Sequence, residues 1–207
     1  VSATIDPLPY DAIGHDDHDD DDHVHAEGDP HVWMDPNNVI LWVEVTVEAL
    51  SEADPSNAQA YEANGAEYIA KLSEIDEWIR DEPASIPEAR RKLVADHSVF
   101  NYVADEYDFT MLGAIIPSTT DTAEPSAQKV AELGELIREE NVRAIFVGRS
   151  SSRALTELSR SISQEVDVNL VILPTFTGSL APEGEDGDTY LEFLRYNVNQ
   201  ILAGIGE

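Results

Sequence analysis

The chain has 207 residues, 42% of them apolar, which is enough for one sizeable core and too many for a chain disordered throughout. Its 42 acidic residues against 12 basic ones leave a formal charge of −30, a surface that repels nucleic acid and anionic membranes and favours cations as partners. The absence of cysteine excludes disulfides, a thiolate metal site and a cysteine nucleophile.

The acidic excess runs through every segment and only three of the basic residues are lysines, which fits a surface adapted to high salt. No apolar run approaches the roughly 20 residues that cross a bilayer. Neither a signal peptide nor a lipid-attachment cysteine is visible, so the chain as given reads as a processed form or a fragment.

VSATIDPLPY, at the amino end, suggests an edge strand or an extended segment, because Pro7 and Pro9 argue against a central strand. Residues 11–28 have no apolar rhythm and carry His15, His18, His23 and His25 among many aspartates. Such a tract suits loose capture of Zn²⁺ or a similar ion, or simply a solvated acidic loop. DPHVWMDP follows, where Pro30 and Trp33 give His31 a stiff local frame. A histidine in that setting is a candidate ligand or an ordinary packed side chain.

Ile40, Val43, Val47 and Leu50 recur at helical spacing, so a helix begins after Pro36. A break at Asp54-Pro55 leads to a second helix with Tyr61, Tyr68, Leu72, Ile75 and Ile79 on its inner face, ending before Pro83. Two long helices in series suggest a spine between lobes. LVADH then reads as a strand ending in His97, and a helix follows with Val99, Phe100, Val103 and Tyr107 inward. The carboxyl end of a strand in an α/β segment is where such sheets place ligands, which makes His97 the second candidate.

Phe109 to Ile115, Arg143 to Gly148 and NLVILP read as three further strands. They alternate with helices near 126–140 and 150–163. The expected unit is a parallel α/β sheet. A glycine-rich loop from Thr175 to Asp188 precedes a closing amphipathic helix with Tyr190, Phe193, Leu194, Val198 and Ile201 inward, capped by Asp188 or Thr189. No phosphate-binding glycine loop is present, and FVGRSSSR lacks the GxSxG spacing of a serine nucleophile. What remains is a metal site built from His31 and His97. They stand at opposite ends of the helical spine, so they are expected to meet only where lobes face each other.

DPHVWMDPNN, LVADHSVFNYVADEYDF, SEADPSNAQAYEANGAEYIAKL and DTYLEFLRYNVNQI together resemble the solute-binding proteins of zinc and manganese ABC uptake transporters. The resemblance implies an α/β fold in which a parallel-sheet lobe with flanking helices joins a long interlobe helical spine. On this reading residues 1–36 are the remnant of an amino-terminal lobe with its acidic His-rich loop, 37–88 the spine and 89–207 the carboxyl-terminal lobe. The chain would be the remnant of a two-lobed fold, lacking most of the first lobe.

It also implies ligand roles for His31 and His97, an auxiliary metal-capture loop at His15, His18, His23 and His25, and Zn²⁺ as the bound ion, with Mn²⁺ the alternative. The implied partner is a membrane permease, the implied location is extracytoplasmic, and the expectation is a monomer that binds no nucleic acid and catalyses nothing. The family's usual aspartate before Ser-Leu falls at Gly178, and its Phe-Val-Glu ends here in Gly148. The family's first ligating histidine comes from the lobe that is missing here, so His31 and His97 are the two of four implied ligand positions that survive, and the site is expected to be incomplete. The alternative is a surface or adhesin-like module that keeps the fold without a working metal cleft.

Overall fold

A computed structural model describes residues 5–9, 28–116, 125–166 and 170–206. Its centre is a four-stranded, wholly parallel sheet in the order β2-β1-β3-β4, formed by β1 (Lys92–His97), β2 (Thr110–Ile116), β3 (Ala144–Gly148) and β4 (Val171–Thr175). The central strands are continuous apolar runs because both of their faces are covered. Side chains alternate across a strand, so the sheet divides the interior into two cores. Leu93, Ala95, Ala144 and Phe146 face one core, and Val94, Ile145 and Val147 the other. Each large side chain among these contributes about 1.5–3 kcal/mol on burial.

The second core is closed by α4 (Ala127–Glu139), through Leu133 and Ile137, and by α5 (Arg153–Glu165), through Leu155 and Ile162. Ser152 caps α5 by accepting from Leu155 N. The first core is closed by α2 (Ala58–Asp81), α3 (Asn101–Glu106) and α6 (Tyr190–Gly206). Thr189 begins α6, its hydroxyl accepting from Glu192 N at 3.4 Å, whereas Asp188 turns back to accept from Gly184 N.

Helix α1 (Pro36–Ala53) starts on Pro36, with Asp35 as its cap. A single short turn at Pro55–Asn57 returns the chain into α2, so the two helices lie side by side rather than in series. Gly65 permits the close approach: a Cβ there would stand 2.4 Å from Val47. The inner face of α1 also differs from the spacing-based expectation. Val39 is its buried apolar side chain after Pro36, and Leu50, at 43% exposure, lies where the hairpin has outrun the sheet. Residues 5–9 form no strand. They run alongside Asp29 and Tyr102, with Leu8 O accepting from Asp29 N and Leu8 N donating to Tyr102. Proline at both 7 and 9 removes the alternate N–H donors a ladder needs.

A polar cluster ties α1 to α2 and α3. Asn37 Nδ2 donates to Asp35 and to Asp76, both at 3.0 Å, and Tyr107 donates to Asp76 at 2.8 Å. Arg80 donates to Asp76 and to Glu106. Burial raises the Asp35 carboxyl from 3.8 to about 6, and the hydrogen bonds from Asn37 only partly oppose the shift. The folded state therefore holds a proton that the unfolded chain has released between pH 3.8 and 6. Stability from this group falls as pH rises through that window, by up to about 3 kcal/mol above it. Asp35→Asn keeps a capping oxygen and removes the charge. It should raise the urea midpoint at pH 8 and lose that advantage at pH 4; equal shifts at both values would count against the explanation.

Candidate metal centre

His31 and His97 come together at the carboxyl edge of the sheet, with ring centres 5.4 Å apart and ring planes at 58°. The α1–α2 hairpin returns the chain so that the start of α1 lies beside the end of α2, where Asn37 bonds Asp76. His97 shares the parity of Leu93 and Ala95, so it projects toward the first core, where Val32 and Met34 of the 3-10 helical turn Val32–Met34 pack. His31 stands at the start of that turn. Both histidines are buried.

Each imidazole is held by a carboxylate. Asp29 Oδ1 accepts from His31 Nδ1 at 2.7 Å and from His31 N at 2.9 Å, and its Oδ2 accepts from Asn101 at 2.8 Å. Asp96 Oδ1 accepts from His97 Nδ1 and from His97 N, both at 2.8 Å. Its Oδ2 accepts from Gly148 N at 2.8 Å and from the Ser151 hydroxyl. Burial alone would raise both carboxyls. For Asp29 it is outweighed by the hydrogen bonds and charge of His31 and by Asn101, and for Asp96 by His97, Ser151 and Gly148 N–H. Both lie below the usual carboxylate range and are ionised at neutral pH.

An ionised carboxylate can only accept, so each Nδ1 carries a proton, and the neutral form of either ring has its lone pair on Nε2. This is the arrangement in which a histidine is oriented toward a metal by a carboxylate behind it. A Zn–N distance of about 2.0–2.1 Å puts an ion roughly 3.2 Å from a ring centre, so two imidazoles at a tetrahedral angle have centres about 5.2 Å apart. The observed 5.4 Å fits.

The frame around His31 is firm. The edge of Trp33 packs on its ring, with centres 5.4 Å apart at 74°. Trp33 Nε1 donates to Thr177 O at 3.2 Å, and Tyr190 donates to Trp33 O at 2.8 Å. Asn197 in α6 fixes the start of the same loop by bonding both Phe176 N and Phe176 O at 2.7 Å. Thr177 is thereby tied to Trp33, whose ring packs on His31.

Gly148 borders the Asp96 carboxylate that holds His97. A Cβ at Gly148 would meet Ser151 Oγ at 2.7 Å, Thr177 Oγ1 at 3.0 Å and Asp96 Oδ2 at 3.3 Å, whereas one at Gly178 meets nothing within 4 Å. Among the described residues no third His, Asp or Glu joins the pair in a group able to hold a metal. His15, His18, His23 and His25 lie outside the described residues. The serine reading fails on geometry: Ser151 donates to Asp96, which stands between it and His97, so the imidazole cannot take the hydroxyl proton. Asp29 and Asp96 were missed by sequence reasoning, although Asp-x-His and Asp-His were the available signals.

A family profile described as ZnuA, zinc-uptake complex component A periplasmic, matches residues 1–204. The chain is similar to the manganese-binding lipoprotein MntA of Halalkalibacterium halodurans, 28% identical over all of this chain and 63% of that protein. It is also similar to the zinc-binding protein AdcA of Streptococcus pyogenes, 31% identical over 90% of this chain and 35% of that one. The periplasmic zinc-binding protein TroA from Treponema pallidum superposes with a TM-score of 0.80 at 26% identity, over 94% of this chain and 69% of that structure. The chain thus spans less than two thirds of the length of the curated relatives MntA and AdcA.

Proposed function

We propose that this chain, which belongs to the zinc-uptake complex component A periplasmic family, binds a divalent transition-metal ion through Nε2 of His31 and Nε2 of His97. The ion is zinc in the first instance. It is held for delivery to an ABC-type membrane permease on the extracytoplasmic side, and it is carried rather than used in catalysis. The histidine tract from His15 to His25 serves as an auxiliary metal-capture segment. The observation that supports this reading best is the pair of imidazoles whose Nδ1 atoms are both occupied by ionised carboxylates while their centres stand 5.4 Å apart.

Two neutral imidazoles suit Zn²⁺ better than Mn²⁺, which prefers carboxylate, carbonyl and water oxygen. Similarity to a manganese-binding lipoprotein keeps Mn²⁺ as the second reading. With two protein ligands in view, the remaining positions of a tetrahedral ion fall to water or another donor, and affinity is correspondingly below that of a four-ligand site.

The test is imidazole nitrogen NMR during zinc titration. His31 and His97 should each show a metal-shifted Nε2 with Nδ1 still protonated. Zinc shifts confined to the histidines of the 15–25 tract would sink the cleft site and leave a surface module with an inherited shell.

A further inference from the structure

We infer that Asn101 is the positioning residue of His31: its side-chain amide fixes the Asp29 carboxylate that orients the ring, so the segment that supplies one imidazole also aims the other. The inference rests on the metal reading above and concerns how the two rings are held in place before an ion arrives.

The Asp29 carboxylate is buried, and its two oxygens have separate tasks. Oδ1 takes both the ring Nδ1–H and the backbone N–H of His31, at 2.7 and 2.9 Å. Oδ2 takes the amide of Asn101 at 2.8 Å, across 72 positions of chain. Among the described residues Asn101 is the donor that reaches this oxygen. A carboxylate with both oxygens engaged cannot turn about its Cβ–Cγ bond without leaving a buried acceptor unmet, which is costly. The backbone of Asp29 is anchored independently, its N–H donating to Leu8 O and its carbonyl accepting from the Tyr102 hydroxyl, both at 2.9 Å. Asn101 therefore governs the freedom that remains, the rotation of the carboxylate that would take Oδ1 off the His31 ring.

The strut has a rigid mount. Asn101 opens α3, four positions after His97, with Val99 and Phe100 buried before it and Tyr102 and Val103 buried after it. Val99 N donates to His97 O at 2.8 Å, and the edge of Phe100 packs on Phe146 of β3 with ring centres 6.1 Å apart at 79°. The strand end that carries His97 thus runs directly into the side chain that braces His31, and the 5.4 Å between ring centres is set from one support. The residue type also suits the task. An amide donates without carrying charge, so Asp29 is held and keeps its negative charge beside a site for a divalent cation, which Lys or Arg at 101 would cancel.

The test is Asn101→Leu, which keeps the size and branching of the side chain and removes the donor. Urea unfolding checks that the variant is folded, and Asn101→Ala takes its place if it is not. At pH 8, where an unperturbed imidazole is neutral, imidazole nitrogen NMR of the metal-free wild type should show the Nδ1–H form at both histidines. In Asn101→Leu, His31 should become a mixture of Nδ1–H and Nε2–H forms, while His97, much nearer in the chain, stays as it was. Zinc affinity, measured against a chromophoric chelator, should fall about tenfold, the lower end of the range for a partner behind a metal ligand. In an Asp29→Ala background the same change should cost nothing further, because the route through the carboxylate is gone. An unaltered His31 tautomer or an unaltered zinc affinity in the folded variant overturns the inference. So does an undiminished loss in the Asp29→Ala background, which would make Asn101 a general structural residue. Each of these leaves the metal reading standing. A wild-type protein with no zinc-shifted Nε2 at His31 and His97 overturns the metal reading instead, and the tautomer comparison, made without metal, still decides whether Asn101 orients His31.

Discussion

Changing His31 and His97 together to alanine should abolish the tight phase of zinc binding and leave only weak uptake by the tract of His15, His18, His23 and His25. Removing a partner behind a metal ligand typically weakens binding ten- to hundred-fold. Removing both protein ligands should therefore cost well over about a hundred-fold. The geometry makes the effect cooperative, since one imidazole cannot hold the ion at the position set by two ring centres 5.4 Å apart. Each single variant should approach the double. Competition against a chromophoric chelator measures the tight phase, and urea unfolding of the metal-free protein checks that the fold survives. Identical titration curves for wild type and double variant would remove the centre from consideration.

Asp96→Asn should weaken zinc binding about ten- to hundred-fold with both histidines in place. The amide offers a donor as well as an acceptor toward His97. It can stabilise the tautomer whose proton sits on Nε2, which blocks the lone pair the metal needs. The same change takes the anionic acceptor from Gly148 N and Ser151, so stability should fall by about 1.5–3 kcal/mol for each charged hydrogen bond weakened. The pH dependence follows from the lowered carboxyl: its contribution is present above 3.8 and disappears as pH falls through its folded value. In Asp96→Asn this part of the acid transition should flatten. The decisive comparison is zinc affinity in a variant shown to be folded, and an unchanged value would make Asp96 a purely structural residue.

Much of this architecture is legible in the sequence because it follows from strong local signals. LVA and AIFV are short apolar runs of the kind a doubly covered parallel strand carries, and both lie in the central strands. His31 and His97 stood out because each sits at a rigid boundary, one behind Pro30 and one at a strand end. Asp29 and Asp96 did not, because 42 acidic residues make any single carboxylate uninformative until its partner is known. The α1 register was misjudged at Leu50 for a related reason. Helical spacing identifies a face, but only the tertiary arrangement tells how far along the helix that face stays covered. That α1 and α2 fold back on each other was not legible, because a proline turn permits the reversal and does not dictate it.

That hairpin gives a bound ion a second effect. The two imidazoles are 66 positions apart in the chain, and an ion coordinated by both would close everything between them into a ring. Closing a loop of that length withdraws freedom from the unfolded chain on the scale of a long-range disulfide, about 4 kcal/mol in the chain-entropy view. The cargo would thus act as a removable clasp on the helices that carry it. Loosening the hairpin from the sheet would be a way to let the ion go.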